Sequence, residues 1–114
     1  MHEMGLAQNI LKLVIQTAQE ANAHKVAKII LKVGLFSGVL IESLRFGLEI
    51  LAKETIARGA KIEIIPIPLQ IICKSCNNQS IITPQSFLCP CCQSTQVKII
   101  SGENLELVSV EVDS

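Results

Sequence analysis

The sequence predicts an α+β fold: a small mixed three-stranded sheet covered by two helices, with a cysteine-rich module inserted late in the chain. Three observations carry that expectation. Apolar residues recur at helical spacing in two stretches, 4–20 and 42–57. They recur at period two in three others, 26–35, 60–67 and 105–112. Four of the five cysteines fall into two Cys-x-x-Cys pairs between Cys73 and Cys92.

Taken in order, Leu6, Ile10, Leu13, Val14, Thr17 and Ala21 form one helical stripe, with Gln8, Lys12, Gln16 and Gln19 mostly opposite, and Asn22 is a plausible stop. Val26 to Leu35 changes period: Ala27, Ile29, Leu31, Val33 and Leu35 make one dry face, interrupted on the other by Lys28 and Lys32. Phe36-Ser37-Gly38 reads as a turn. A second helix from about Glu42 to Ala57 carries Leu44, Leu48 and Leu51, and Gly59 ends it. Ala60, Ile62 and Ile64 then alternate with Lys61 and Glu63, and Pro66 and Pro68 mark an exit from any central ladder. Strand, helix and strand predict a βαβ unit with parallel strands and both helices on one face. Val97 to Ile100 is a short strand and Leu105 to Val112 a longer one. The economical place for that last apolar strand is beside the first two. Residues 1–67 plus 104–114 then form the α/β domain, and 68–103 the inserted module.

Within that module, Cys73/Cys76 and Cys89/Cys92 are separated by a dozen residues. Two such pairs close a tetrahedron about one Zn²⁺, each pair chelating one edge. A disulfide, or two unrelated reduced pairs, is the simpler alternative. Chance seldom places four of five cysteines at ligand spacing in one turn-rich segment. The expected ligands are Cys73, Cys76, Cys89 and Cys92, which makes the module zinc-ribbon-like. Pro90 fixes φ inside the second pair. Cys91 is the spare thiol, because Cys89/Cys92 repeats the spacing of the first pair. Four thiolates leave no open position, so the site is structural.

Composition excludes several classes. At 114 residues the chain is one domain or two very small ones, and below about 70 residues a core is marginal without a staple. Ten basic and ten acidic residues, with no Trp or Tyr, argue against a nucleic-acid surface. No apolar run approaches a membrane span, and the start lacks a signal-peptide pattern. Thiolate ligands point to the cytoplasm. Scattered carboxylates, no phosphate loop and no nucleophile–base arrangement predict no enzyme.

The two histidines differ in position. His24 reads as a solvated loop residue. His2 follows Met1, so amine, amide nitrogen and imidazole could chelate one metal in fused rings. That field suits square-planar Ni(II) or Cu(II) better than Zn²⁺.

Several segments together resemble the HypA/HybF family, the nickel metallochaperones of [NiFe]-hydrogenase maturation. They are Met1-His2-Glu3-Met4, Val33-Gly34 with Ser37-Gly38-Val39, Glu42-Ser43-Leu44-Arg45-Phe46 and Gly59-Ala60-Lys61-Ile62-Glu63-Ile64. The two cysteine pairs, Gly102-Glu103-Asn104-Leu105 and Val110-Glu111-Val112 complete the match. Each motif is modest alone, and their order from residue 1 to about 112 is specific. The resemblance implies nickel held by Met1 through its amine and by His2, with Glu3 beside them. It implies zinc on the four paired cysteines, and it makes residues 1–67 plus 104–114 the nickel-binding domain. It also implies a HypB-type GTPase partner and delivery of Ni²⁺ to the hydrogenase large subunit, with urease maturation proteins as further possible partners. The carrier would be a monomer or homodimer. The rival reading is a zinc-ribbon interaction or nucleic-acid-binding module without nickel delivery.

The chain departs from the family pattern in places. Gly5 replaces a common Ser and so removes a helix cap. Ile41 stands where Pro is common, Gln93 where Gly is common, and Cys91 is unusual. The fourth nickel donor is left open among Glu3, Glu42, a partner side chain and water.

Overall fold

The computed structural model describes residues 2–83 and 85–113; Met1, the His2 side chain, Pro84 and Ser114 lie outside the described set. Among the described residues eight elements follow one another: α1 (His2–Glu20), β1 (Lys25–Gly34), α2 (Ile41–Ala52), β2 (Lys61–Ile67), β3 (Gln70–Cys73), β4 (Gln79–Ile81), β5 (Val97–Ser101) and β6 (Leu105–Asp113). They build two three-stranded sheets, ordered β2-β1-β6 and β4-β3-β5. In the first, β1 is central, parallel to β2 and antiparallel to β6. This is the mixed sheet the sequence predicts, with the last strand beside the first two.

Helix α1 starts at His2, two residues before the periodic pattern begins, so Gly5 lies inside the helix and not at its cap. It stops where expected: Asn22 adopts φ 55°, and the Ala23 N–H bonds back to the Ala18 carbonyl at 2.9 Å. Its buried stripe is rotated from the predicted one. Ala7, Ile10, Leu11, Val14 and Ala18 face the core, while Leu13 is 48% exposed. Small residues sit inward because α2 approaches closely: a Cβ on Gly47 would lie 3.3 Å from Ala7 Cβ and from Met4 Sδ.

Helix α2 ends at Ala52, five residues before the predicted Ala57. The Thr55 hydroxyl donates to the Ala52 carbonyl at 2.8 Å and accepts from the Ala57 N–H at 3.0 Å. That side chain competes with the helical ladder and turns the chain.

Two register shifts correct the simple alternation. An extra residue at Ala27, between the Val26 and Lys28 pairings, puts Val26 and Ile29 on the same inner face. Ala27 is only half-buried and Leu35 is 56% exposed, so neither belongs to the predicted dry face. On β6, Val108 lies between the Ser109 and Leu107 pairings and is 44% exposed. Leu105, Leu107 and Val110 pack against the core instead. Pro66 sits inside β2, opposite Val33, where an edge strand tolerates it.

The second sheet contains two strands, β3 and β4, that period-two reading missed because they are only four and three residues long. Leu69, Ile71, Cys73 and Cys89 are the buried hydrophobic residues there, and they are separate from the main core. The two sheets meet at a neck of main chain. Gly34 N–H donates to Asn104 O, Leu35 N–H to Ile67 O and Phe36 N–H to Gly102 O, each at 2.8 Å. The rings of Phe36 and Phe87 meet edge to face, centroids 5.4 Å apart.

Candidate metal centre

Strand β3 ends at Cys73 and delivers it into a tight turn. The N–H groups of Ser75 and Cys76 donate to Cys73 Sγ at 3.3 and 3.5 Å. The Asn77 N–H bonds the Cys73 carbonyl at 2.9 Å, and the Cys73 N–H bonds Asn78 O at 3.0 Å. The second turn repeats the first: Gln93 N–H to Cys89 O at 2.8 Å, and Cys89 N–H to Ser94 O at 3.0 Å. Both need a left-handed residue after the second cysteine, and Asn77 and Gln93 supply it at φ 62° and 61°. Asn adopts that region readily; Gln does so with strain. The hydroxyls of Ser75 and Ser94 join the two turns at 3.1 Å.

These paired turns bring the sulfurs of Cys73, Cys76, Cys89 and Cys92 within 4.8 Å of one another. Across the two turns, Cys73 Sγ lies 3.6 Å from Cys92 Sγ, and Cys76 Sγ lies 3.6 Å from Cys89 Sγ. A tetrahedral zinc with Zn–S of about 2.3 Å needs sulfurs about 3.8 Å apart. The donor set fits that ion in both type and spacing. All five cysteines are free thiols, and Cys91 is exposed and stands outside the group of four.

Metal-free, the four thiols differ sharply. The N–H of Cys76, with that of Ser75 behind it, outweighs burial and lowers the Cys73 thiol to about 6. Cys76 is pulled down by the Asn78 N–H, but the Cys89 sulfur, desolvation and the remaining sulfurs outweigh it, and its thiol rises to about 12. Cys89 is lowered, chiefly by the Cys92 N–H. Cys92 is raised: the Ser94 N–H opposes, but the sulfur of Cys73, desolvation and the Cys89 sulfur win. Each turn therefore favours a thiolate at its first cysteine and a protonated thiol at its second.

At the other end of the chain, Met1 and the His2 side chain, expected nickel anchors, lie outside the described residues. Glu3 is described and buried, at 8% exposure. Its Oε2 accepts the Leu40 N–H at 3.3 Å, so the start of α1 is tied to the start of α2. No side chain of Leu40 itself caps α2. The Glu3 carboxylate therefore sits where the α2 dipole favours negative charge. Glu42 points outward, 86% exposed, with Oε2 3.8 Å from Arg45 Nε. His24 is exposed, as a loop residue should be. Among the described residues no helix is long and apolar enough to cross a membrane.

The family model described as "Hydrogenase/urease nickel incorporation, metallochaperone, hypA" matches residues 1–112. The chain belongs to the HypA family. Hydrogenase maturation factor HypA of Dehalococcoides mccartyi is 33% identical over 113 residues, covering 99% of this chain and 95% of that one. That of Chloroflexus aurantiacus is 35% identical over 112 residues, covering 97% and 98%. Two solved structures share the fold. The solution structure of a HypA protein superposes with TM-score 0.73 at 23% identity, covering 98% of this chain and 96% of the other. That of the Ni metallochaperone HypA from Helicobacter pylori gives 0.67 at 21%, covering 96% of each. The family match and these relatives, not the structural likeness, place the chain among the nickel metallochaperones of hydrogenase maturation.

Three features of the site were not found by sequence reasoning. The left-handed position after each cysteine pair was legible only as the departure at Gln93. The Ser75–Ser94 link and the Glu3–Leu40 bond join residues 19 and 37 positions apart, and no local pattern announces them.

Proposed function

We propose that this HypA-family chain takes up Ni(II) through the Met1 amine and the His2 amide nitrogen and imidazole, with Glu3 adjoining. It would pass the ion to the large subunit of a [NiFe]-hydrogenase precursor in the cytoplasm, working with a HypB-type GTPase. The observation that carries this reading is the family match, which begins at residue 1 and so includes Met1-His2-Glu3. The Glu3–Leu40 bond supports it by tethering the start of α1 to the body of the protein. Residues 1–67 and 104–114 would act as the nickel-binding domain, and 68–103 as the zinc module. Cys73, Cys76, Cys89 and Cys92 would hold Zn²⁺, which supplies the cross-link that the two buried aliphatic residues Leu69 and Ile71 cannot. Metal-binding energies of order 10–16 kcal/mol in zinc-finger peptides dwarf what so small a core contributes. With every donor position filled by thiolate, the module holds and presents and does not react. The function is that of a carrier, not a catalyst.

Nickel uptake requires loss of protons from amine, amide and imidazole, so affinity should fall as pH drops toward the ordinary imidazole value of about 6.5. The test is nickel titration by calorimetry on protein with its native N-terminus. His2→Ala should keep zinc and its fold while losing tight nickel binding and failing to support hydrogenase maturation. One residue added before Met1 turns the amine into an amide and should impair the site similarly. Parent-like nickel affinity in both variants would refute the N-terminal site.

A further inference from the structure

The chain has two arginines among its ten basic residues, and both line one cleft. It opens between α2 and the start of β2, with a volume of about 650 Å³, and is lined by Arg45, Glu49, Lys53, Arg58 and Gly59 over a floor of small apolar residues. Ala52, Ala57 and Ile62 make that floor and are buried, at 4%, 1% and 9% exposure. Low-polarity material beneath surface charges strengthens their field. The lining carries a net +2, Arg45, Lys53 and Arg58 against Glu49, with the Glu42 carboxylate just outside it, 3.8 Å from Arg45 Nε. The whole chain, by contrast, is neutral.

The cations are carried on stiff backbone. Lys53 and Arg58 sit on the turn after α2, which is braced by both hydrogen bonds of the Thr55 hydroxyl, by Arg58 N–H to Thr55 O at 3.1 Å and by Ala60 N–H to Ala57 O at 3.0 Å. Val26 N–H on β1 bonds Ile56 O at 2.9 Å and ties the turn to the sheet. Arg45 is oriented by donating Nη1–H to the Ile62 carbonyl at 2.5 Å. Among the described residues neither Lys53 nor Arg58 has a carboxylate within ion-pair distance. Cations near a helix C-terminus also complement its dipole. That role asks for charge alone and does not call for a free guanidinium fork over an apolar floor, which Arg58 supplies.

We propose that this cleft binds a phosphate group, free or as the terminal phosphate of a nucleotide. The match is one of charge and geometry: a phosphate dianion neutralises the +2 lining, and arginine forks suit tetrahedral oxyanions. The cleft is of small-ligand size, and its braced turn lowers the ordering cost of binding.

The test uses the full zinc-loaded chain, followed by amide NMR during titration with inorganic phosphate, with chloride as the reference at matched ionic strength. Saturable shifts at Lys53, Thr55, Arg58 and Gly59 are expected. The exposed-site double variant Lys53→Gln/Arg58→Gln should weaken phosphate binding by roughly a hundredfold, since each of the two charge-assisted bonds lost is worth about tenfold. Glu49→Gln, which removes the opposing charge, should tighten it. A nucleoside diphosphate that binds more tightly than phosphate, and loses that binding in the double variant, identifies a nucleotide as the source; equal affinity identifies free phosphate. Unsaturable shifts matching those from chloride would overturn the proposal. So would unchanged affinity in the double variant, including the case where the only effect is a lower melting temperature in chloride.

Discussion

Replacing Gly34 by Ala tests how the two sheets are joined. A Cβ built there would lie 2.2 Å from Gly102 O, 2.3 Å from Gly102 C and 2.8 Å from Glu103 N. All three are main-chain atoms, so no side chain can swing aside. An ordinary contact is about 3.5 Å, so the neck would have to open by roughly 1.3 Å. Opening it strains the hydrogen bonds from Gly34 N–H to Asn104 O and from Phe36 N–H to Gly102 O. Overpacking of this kind costs about 1–3 kcal/mol and each hydrogen bond about 1. The expected loss is therefore ~3–5 kcal/mol, a large part of a stability that in small domains runs about 5–15 kcal/mol. Gly102→Ala should be at least as damaging. Its φ is +100°, and its Cβ would meet Leu69 Cα and Pro68 O at 2.7 Å. Gly5→Ala is the control: it lies within α1 with nothing inside 4 Å, and should stabilise by up to about 1 kcal/mol. The assay is urea unfolding of zinc-loaded protein followed by circular dichroism. A loss below about 1 kcal/mol in Gly34→Ala would refute the close-packed neck.

Two further outcomes concern the metal centre. Gln93→Gly relieves a left-handed φ of 61° that Gln adopts with strain, and should raise stability by up to about 1 kcal/mol, with slower zinc loss to a chelator. Zinc uptake by metal-free protein at neutral pH should release fewer protons than four ordinary thiols would, because Cys73 and Cys89 are lowered, Cys73 to about 6. The protons come chiefly from the raised Cys76 and Cys92. The sign follows. The lowered Cys73 contributes stability to the metal-free fold above the ordinary thiol value of 9.0, and that contribution is lost as pH falls toward 6. The raised Cys76 contributes stability below 9.0, lost as pH rises toward 12. Proton counts from calorimetry in buffers of different ionisation enthalpy decide the matter.

The sequence by itself determined much of this protein. Helical and alternating periods named both helices and the three strands of the mixed sheet, because burial on one face imposes a local repeat. The spacing Cys73/Cys76 and Cys89/Cys92 named the four sulfurs that converge, because a two-residue gap is what lets one turn present two thiols to one point. What only the tertiary structure decided lies between segments distant in the chain. The extra residues at Ala27 and Val108 follow from pairing with another strand, and they moved Val26 and Val110 to the core. The inward stripe of α1 turned toward Ala7 because Gly47 of α2 lets the helices close up. Helix α2 stops at Ala52 because a threonine three residues on takes its carbonyl, which no period reveals. The same turn carries Lys53 and Arg58 to the cleft that Arg45 also lines, three charges that look scattered along the chain. Local repeats record what each segment buries, whereas contacts across the fold depend on partners that no window of sequence contains.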